Sequence, residues 1–357
     1  MKTIDRYIFR ELMVPCLIGT VAVVLMFQAN ALIYFMKTFA VSNIPPLALL
    51  QLILYKTPDF LRQTLPIGMA LASSLAVSRI TRESELTAMR SAGMPIRRLL
   101  IPVGLFGLMI GVLNYVITEK VLPVAEKKFS EVSQKVIALG MSAEFKSNVT
   151  LQLQSNSTAY FASVQRIKDD KLMIRDAILF EQTKSGEVSV YFSKEGIYDR
   201  GILTFDNGDL WRFKEGKLEG YEFKKITIDE RISLADMYTT AQSTDKTIDE
   251  LRVAINDGRK MGRDVTTLEI DYHSRFSVPA ACLVFAVTGP VFAIMLGRSG
   301  GFVGVFLSML MVMVYYNGWI ISTQILGRNE WISPIVSAWL PNVIFLAFGI
   351  LGLRRLE

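Results

Sequence analysis

RITRESELTAMRSAG, from Arg79 to Gly93, is a charged island between two long apolar runs, and its reading decides how the rest of the chain is arranged. Glu83 and Glu85 come early, Leu86 and Met89 stand three apart, Arg90 comes late, and Gly93 and Pro95 are stop signals. That order suits a short exposed helix, with acidic residues near its positive end and a basic one near its negative end. A plain solvated loop carries such a helix too. Against that reading, the acidic first turn, the apolar Leu86 and Met89 and the sharp exit make a compact amphipathic plug. It would dock in a groove of a soluble partner, with Glu83 or Glu85 pairing a basic residue there.

Outward from the island, the chain of 357 residues is 51% hydrophobic and only 20% charged, which is the composition of a polytopic membrane protein with one polar insert. Six segments are apolar for the roughly 20 residues that a spanning helix needs. They run from Met13 to Met36, Phe60 to Val77, Ile96 to Ile117, Phe276 to Leu296, Phe302 to Leu326 and Trp331 to Leu353. The first is longer than the apolar core of a secretory signal and reads as a retained span. Leu47 to Tyr55 is too short to span alone and reads as an interfacial lead into the second helix.

If the six helices alternate, Lys2, Arg6, Arg10, Arg79, Arg82, Arg90, Arg97, Arg98, Arg298, Arg354 and Arg355 fall on one side. Basic residues mark the cytoplasmic side, so both termini and the island are expected there and the insert outside. The net charge of +6 follows this topology. Basic residues without interleaved aromatics give no nucleic-acid patch.

The insert begins with a polar continuation of the third helix and then changes to strand spacing: Val188, Val190 and Phe192 alternate with Ser189, Tyr191 and Ser193. Further strands are expected at Val149 to Leu153, Thr158 to Val164, Ile174 to Glu181 and Glu222 to Ile228, with turns at Asp169-Asp170 and Ser185-Gly186. Asn207-Gly208, between Ile202 to Phe205 and Leu210 to Phe213, reads as a hairpin turn. The fold class is therefore an α-helical polytopic membrane protein with an inserted antiparallel sandwich or jelly roll. Residues 1–120 form the first membrane half, 121–267 the insert with its helical connectors, and 268–357 the second half.

No catalytic set, metal-ligand spacing or phosphate-binding loop assembles. Cys16 and Cys282 sit in apolar spans, His273 is the only histidine, and Gly297 to Gly304 lacks the Lys-Ser/Thr of a P-loop. A protein of this kind that uses ATP must find it on a partner. Charges near the spans say more, because each is costly in hydrocarbon. Lys37 ends the first span, Lys56, Asp59 and Arg62 open the second and Arg275 opens the fourth, all toward the outer face. They are either snorkelling and locally paired, as Asp59 and Arg62 would be, or a basic rim around a cavity for an anionic amphiphile.

The runs Leu65-Pro66-Ile67-Gly68, Arg82 to Gly93 and Tyr272 to Ala286, together with Asp5-Arg6-Tyr7, resemble the lipopolysaccharide-export permease family (LptF/LptG, also called YjgP/YjgQ) over essentially the whole chain. The resemblance implies a transmembrane subunit of an ABC transporter, paired with a second permease chain over a cytoplasmic ATPase dimer. It implies passage of lipopolysaccharide through β-jellyroll domains to a periplasmic bridge, no cofactor, and no catalysis by the permease itself. By the same resemblance the island is the coupling helix, with Glu85 in contact with the ATPase and Glu83 beside it. Lys37 and Arg62 are the nearest candidates for the lipid A phosphates. Two other classes stand beside it: a membrane sensor whose insert binds a ligand, and an intramembrane lipid enzyme, for which Asp59 is the one available acid.

Overall fold

The structure is a computed structural model and describes residues 3–38, 46–140, 146–152, 157–166, 172–182, 188–199, 202–214, 217–229, 246–260, 264–295 and 301–356. Among the described residues, six helical stretches are long and apolar enough to cross a membrane. In chain order the helices are α1 (Thr3–Thr38), α2 (Pro46–Arg82), α3 (Glu85–Ser91), α4 (Ile96–Val116), α5 (Leu122–Gly140), α6 (Ile248–Lys260), α7 (Thr266–Met295), α8 (Gly301–Ile320) and α9 (Pro334–Leu356). A wide turn at Ile117–Val121 joins α4 to α5, so one span runs from Ile96 to Ser133; a second at Ile321–Gly327 extends α8. The chain divides into two units: Met1–Ile33 with Ile53–Lys127 and Ser243–Glu357, and Tyr34–Leu52 with Lys128–Gln242.

Leu47 to Tyr55 leads into the second helix as expected and is continuous with it. It is the opening of α2, a single helix of 37 residues that carries Pro58 and Pro66 inside it. Pro46 stands at its first position, where a missing N–H costs nothing. At 1.5 Å per residue such a helix is roughly 55 Å long, well beyond the hydrocarbon thickness.

In the helical unit α2 and α7 are the most buried spans, and close approaches between small residues hold the others to them. On α4, Gly107 and Gly111 lie against α7, and a Cβ on Gly107 would stand 2.4 Å from Ala286 Cβ and 3.0 Å from the Cys282 carbonyl. Polar groups inside the bundle are answered across helices. Ser73 Oγ donates to the Phe285 carbonyl at 2.9 Å, Asn342 Nδ2 to the Ser277 carbonyl at 2.8 Å and Tyr315 OH to Asn342 Oδ1 at 2.9 Å. In hydrocarbon no water offers an alternative partner, so these bonds fix helix pairing.

Among the described residues the second unit carries six antiparallel strands: β1 (Lys146–Gln152), β2 (Ser157–Arg166), β3 (Leu172–Gln182), β4 (Val188–Asp199), β5 (Ile202–Lys214) and β6 (Lys217–Asp229). They pair in sequence order in one sheet, as consecutive hairpins. The expected turns at Asp169-Asp170 and Ser185-Gly186 lie outside the described residues. The expected hairpin at Asn207-Gly208 is a correction: β5 runs straight through it. A type I′ turn needs positive φ at both central residues, whereas only Asn207 has it (49°); Gly208 stays in the strand, paired with Ser193 and Phe223.

Asn207 belongs to a longer feature. Positions 148, 162, 176, 194, 207 and 224 each drop out of an otherwise continuous register, and they are neighbours across all six strands. Asp176 in that row is also left-handed, at φ 49°. The buried alternation changes phase there: Ile174 gives way to Ala177 and Leu179 on β3, Ser189 and Ser193 to Tyr198 on β4. A transverse crease thus crosses the sheet, and Ser193 Oγ bridges it, donating to the carbonyls of Glu195 (2.8 Å) and Asp206 (3.0 Å).

Candidate functional site

The island at residues 79–93 folds as its composition predicts. α2 ends at Arg82, Ser84 turns the chain with φ 61°, α3 occupies seven residues, and Gly93 exits at φ 82° before Pro95 opens α4. Its apolar residues do not face outward, which corrects the picture of a plug. Leu86 is 6% exposed and, with Met89 against it, joins the core formed by Ile8, Leu12, Val77 and Ile80. A seven-residue helix is unstable alone, and this burial is what holds it in place.

Glu85 is tied down as well, because Tyr7 OH on α1 donates to both its carboxylate oxygens at 3.1 and 2.9 Å. Glu83 accepts from Arg79 Nε at 3.1 Å, and Arg79 also pairs with Glu11 on α1. The outer surface of the loop is left to Glu83, Thr87, Ala88, Arg90 and Ser91, all exposed. Spacing along the chain gives no sign of these roles for Tyr7 and Glu11, because their partners lie more than 60 positions away.

The basic candidates whose side chains are described, Lys56, Arg62 and Arg275, are each engaged within the helical unit. Lys56 Nζ bonds Glu126 at 2.7 Å and lies 3.2 Å from Asp59, so its charge is matched twice within the unit. Arg62 Nη2 pairs with Asp59 at 2.9 Å, as the local reading of that spacing anticipated, while its Nε is buried without a hydrogen-bond partner. Arg275 is 4% exposed. It donates to the Thr118 carbonyl at 2.8 Å and the Lys246 carbonyl at 2.5 Å, with Glu119 at 4.0 Å. The wide turn at Ile117–Val121 breaks the regular helical ladder there, which frees backbone acceptors for it. Arg275 is a brace, not a rim residue. Lys37 lies in the last turn of α1, and its side chain is outside the described residues. His273, outside these clusters, packs edge-on against Tyr272 at 5.2 Å.

In the sheet, Val188, Val190 and Phe192 share a face with Phe213, the partner of Val188, with Trp211 and Phe180, the partners of Val190, and with Ile178 and Asp209, the partners of Phe192. Phe180, Phe192, Trp211 and Phe213 are each at least 40% exposed, whereas Ser189 and Ser193 on the other face are buried. Exposed apolar side chains grouped in this way mark an interaction surface, for a lipid or for another protein.

A family model described as "Lipopolysaccharide export system permease LptF/LptG" matches residues 6–355. A comparison with curated proteins finds no match.

Proposed function

The chain belongs to the lipopolysaccharide export system permease LptF/LptG family, and from that premise we propose how this multi-pass inner membrane protein moves its lipid. It acts as one of two permease chains over a cytoplasmic ATPase dimer, and the permease itself hydrolyses nothing. Both termini and the α3 loop face the cytoplasm, in keeping with the basic residues that gather on that side. The insert at 121–267 faces the periplasm and hands the lipid to a bridging β protein.

The reading is carried by one coincidence: a family match from 6 to 355 falls on a six-span frame whose second and third spans are joined by a separate, internally anchored helix. In this reading α3 is the coupling helix. Glu83, Glu85 and Arg90 meet the ATPase, while Leu86 and Met89 fasten the helix to α1 and α2, so a push on α3 moves the spans rather than the loop alone. At the outer face Arg62 and Lys37 contact the lipid A phosphates; Lys56 and Arg275 keep the frame. The acyl chains pass along the Phe180, Phe192, Trp211 and Phe213 face.

The test is co-expression with the cognate ATPase, followed by copurification and ATP-driven lipopolysaccharide release from proteoliposomes. Glu85→Arg is expected to cut release at least about tenfold, the loss of one partly buried charge pair. Tyr7→Phe, which removes only the internal bond to Glu85, is expected to cost far less. Copurification of no ATPase together with full release from Glu85→Arg would end the coupling assignment.

A further inference from the structure

A second charged place in the helical unit has no part in that reading. Between α1 and α2, close to where α2 ends, lies a cavity of about 400 Å³, a size within the usual range of ligand sites. Its floor is apolar, from Val14, Leu75 and Ala76, and its rim carries Arg10, Arg79 and Arg82 against one carboxylate, Glu11. Arg79 is engaged by Glu11 and Glu83. Arg10 and Arg82 are exposed and form no ion pair with any described residue.

We propose that this cavity binds the phosphate of an anionic glycerophospholipid from the leaflet on its own side, with Arg10 and Arg82 as ligands. The topology proposed above makes that the cytoplasmic leaflet; the binding itself does not depend on the export reading. Guanidinium groups match phosphate oxygens in fork geometry, and basic pockets between spans collect anionic head groups. The apolar floor decides between a lipid and a free anion. Val14 is at once part of the cavity and, at 58% exposure, part of the open apolar flank of α1 with Leu17, Ile18 and Val21. An acyl chain attached to the bound phosphate lies along that flank, whereas a soluble anion gains nothing from it.

The experiment uses the full chain purified in mild detergent, without ATPase or lipopolysaccharide, and reads bound lipid by native mass spectrometry. Titrations use phosphatidylglycerol, phosphatidylcholine of the same acyl chains, and glycerol phosphate. Wild-type protein is expected to retain phosphatidylglycerol in preference to phosphatidylcholine and not to release it to glycerol phosphate. R10Q/R82Q is expected to weaken retention roughly 25-fold, a factor of about five for each guanidinium at a membrane surface. R10K/R82K is expected to keep most of it, and R354Q/R355Q, two exposed arginines far along the chain, to keep all of it. Equal retention of the two lipids by the wild type overturns the proposal whatever the variants do. Unchanged retention in R10Q/R82Q overturns the site, and displacement by glycerol phosphate overturns the lipid assignment in favour of a soluble anion. Failure on any of these leaves ATPase-coupled release untouched, and failure of that release leaves this binding untouched.

Discussion

The guanidinium of Arg275 holds two backbone carbonyls, one of them 157 positions earlier in the chain, and almost no water reaches it. Removing it leaves acceptors and the nearby Glu119 carboxylate without their cation, a loss of about 3 kcal/mol or more. Arg275→Ala is therefore expected to lower the thermal midpoint in detergent sharply, and Arg275→Lys to recover only part, because an ammonium cannot reach both carbonyls as a fork does. Gly107 makes a packing prediction of the same kind. A valine there meets Ala286 and the Cys282 carbonyl, and overpacking at that approach is expected to cost about 1–3 kcal/mol on the same assay. Local pairs were legible in the sequence, since Asp59 and Arg62 stand three apart on one helix. Lys56 to Glu126, Tyr7 to Glu85 and Arg275 to Thr118 were not, because spacing says nothing about which helices will be neighbours.

Among the elements, the spans were legible because hydrocarbon demands length and apolarity that no other structure needs, and α3 because its stop signals are local. The strand at Asn207-Gly208 misled because its dipeptide requests positive φ without saying whether the chain turns or only creases. Asn207→Val places a β-branched residue at φ 49° and is expected to destabilise the sheet by about 1–3 kcal/mol, seen as a fall in sheet signal by circular dichroism on heating. Asn207→Gly is expected to be close to neutral. The start of α6 offers a pH test. Thr247 N–H donates to Glu250 at 2.7 Å while Glu250 N–H donates to Thr247 Oγ1 at 3.3 Å, a reciprocal cap. The bond from the Thr247 backbone, and then Lys127, hold the Glu250 carboxyl below its usual value. Its contribution is therefore present above the unfolded value of about 4.3 and lost as pH falls through the lower folded value. Amide protection at the first turn of α6, corrected for intrinsic exchange, is expected to drop between about pH 5 and 3, and Glu250→Gln to abolish that step.

For the molecule as a whole, which face of the sheet is open was the choice the sequence could not make, since alternation shows two sets and not which one is covered. With Phe192 and Trp211 on the open face and Ser189 buried, a photo-crosslinker at either aromatic position is expected to capture lipopolysaccharide during ATP turnover. One at Ser189 is expected to capture none, and equal capture at all three, read by immunoblot, would remove the face assignment. The crease sets how that face behaves under load. A pleated sheet resists bending across its strands through its ladder of hydrogen bonds, and here one rung is absent from every ladder at the same level. Each strand keeps its stiffness on either side of the line and compliance is confined to the line itself, much as a book bends at its spine. Under the proposed function, cargo molecules of unequal girth are accommodated by a change of angle, with no strand parting from its neighbour.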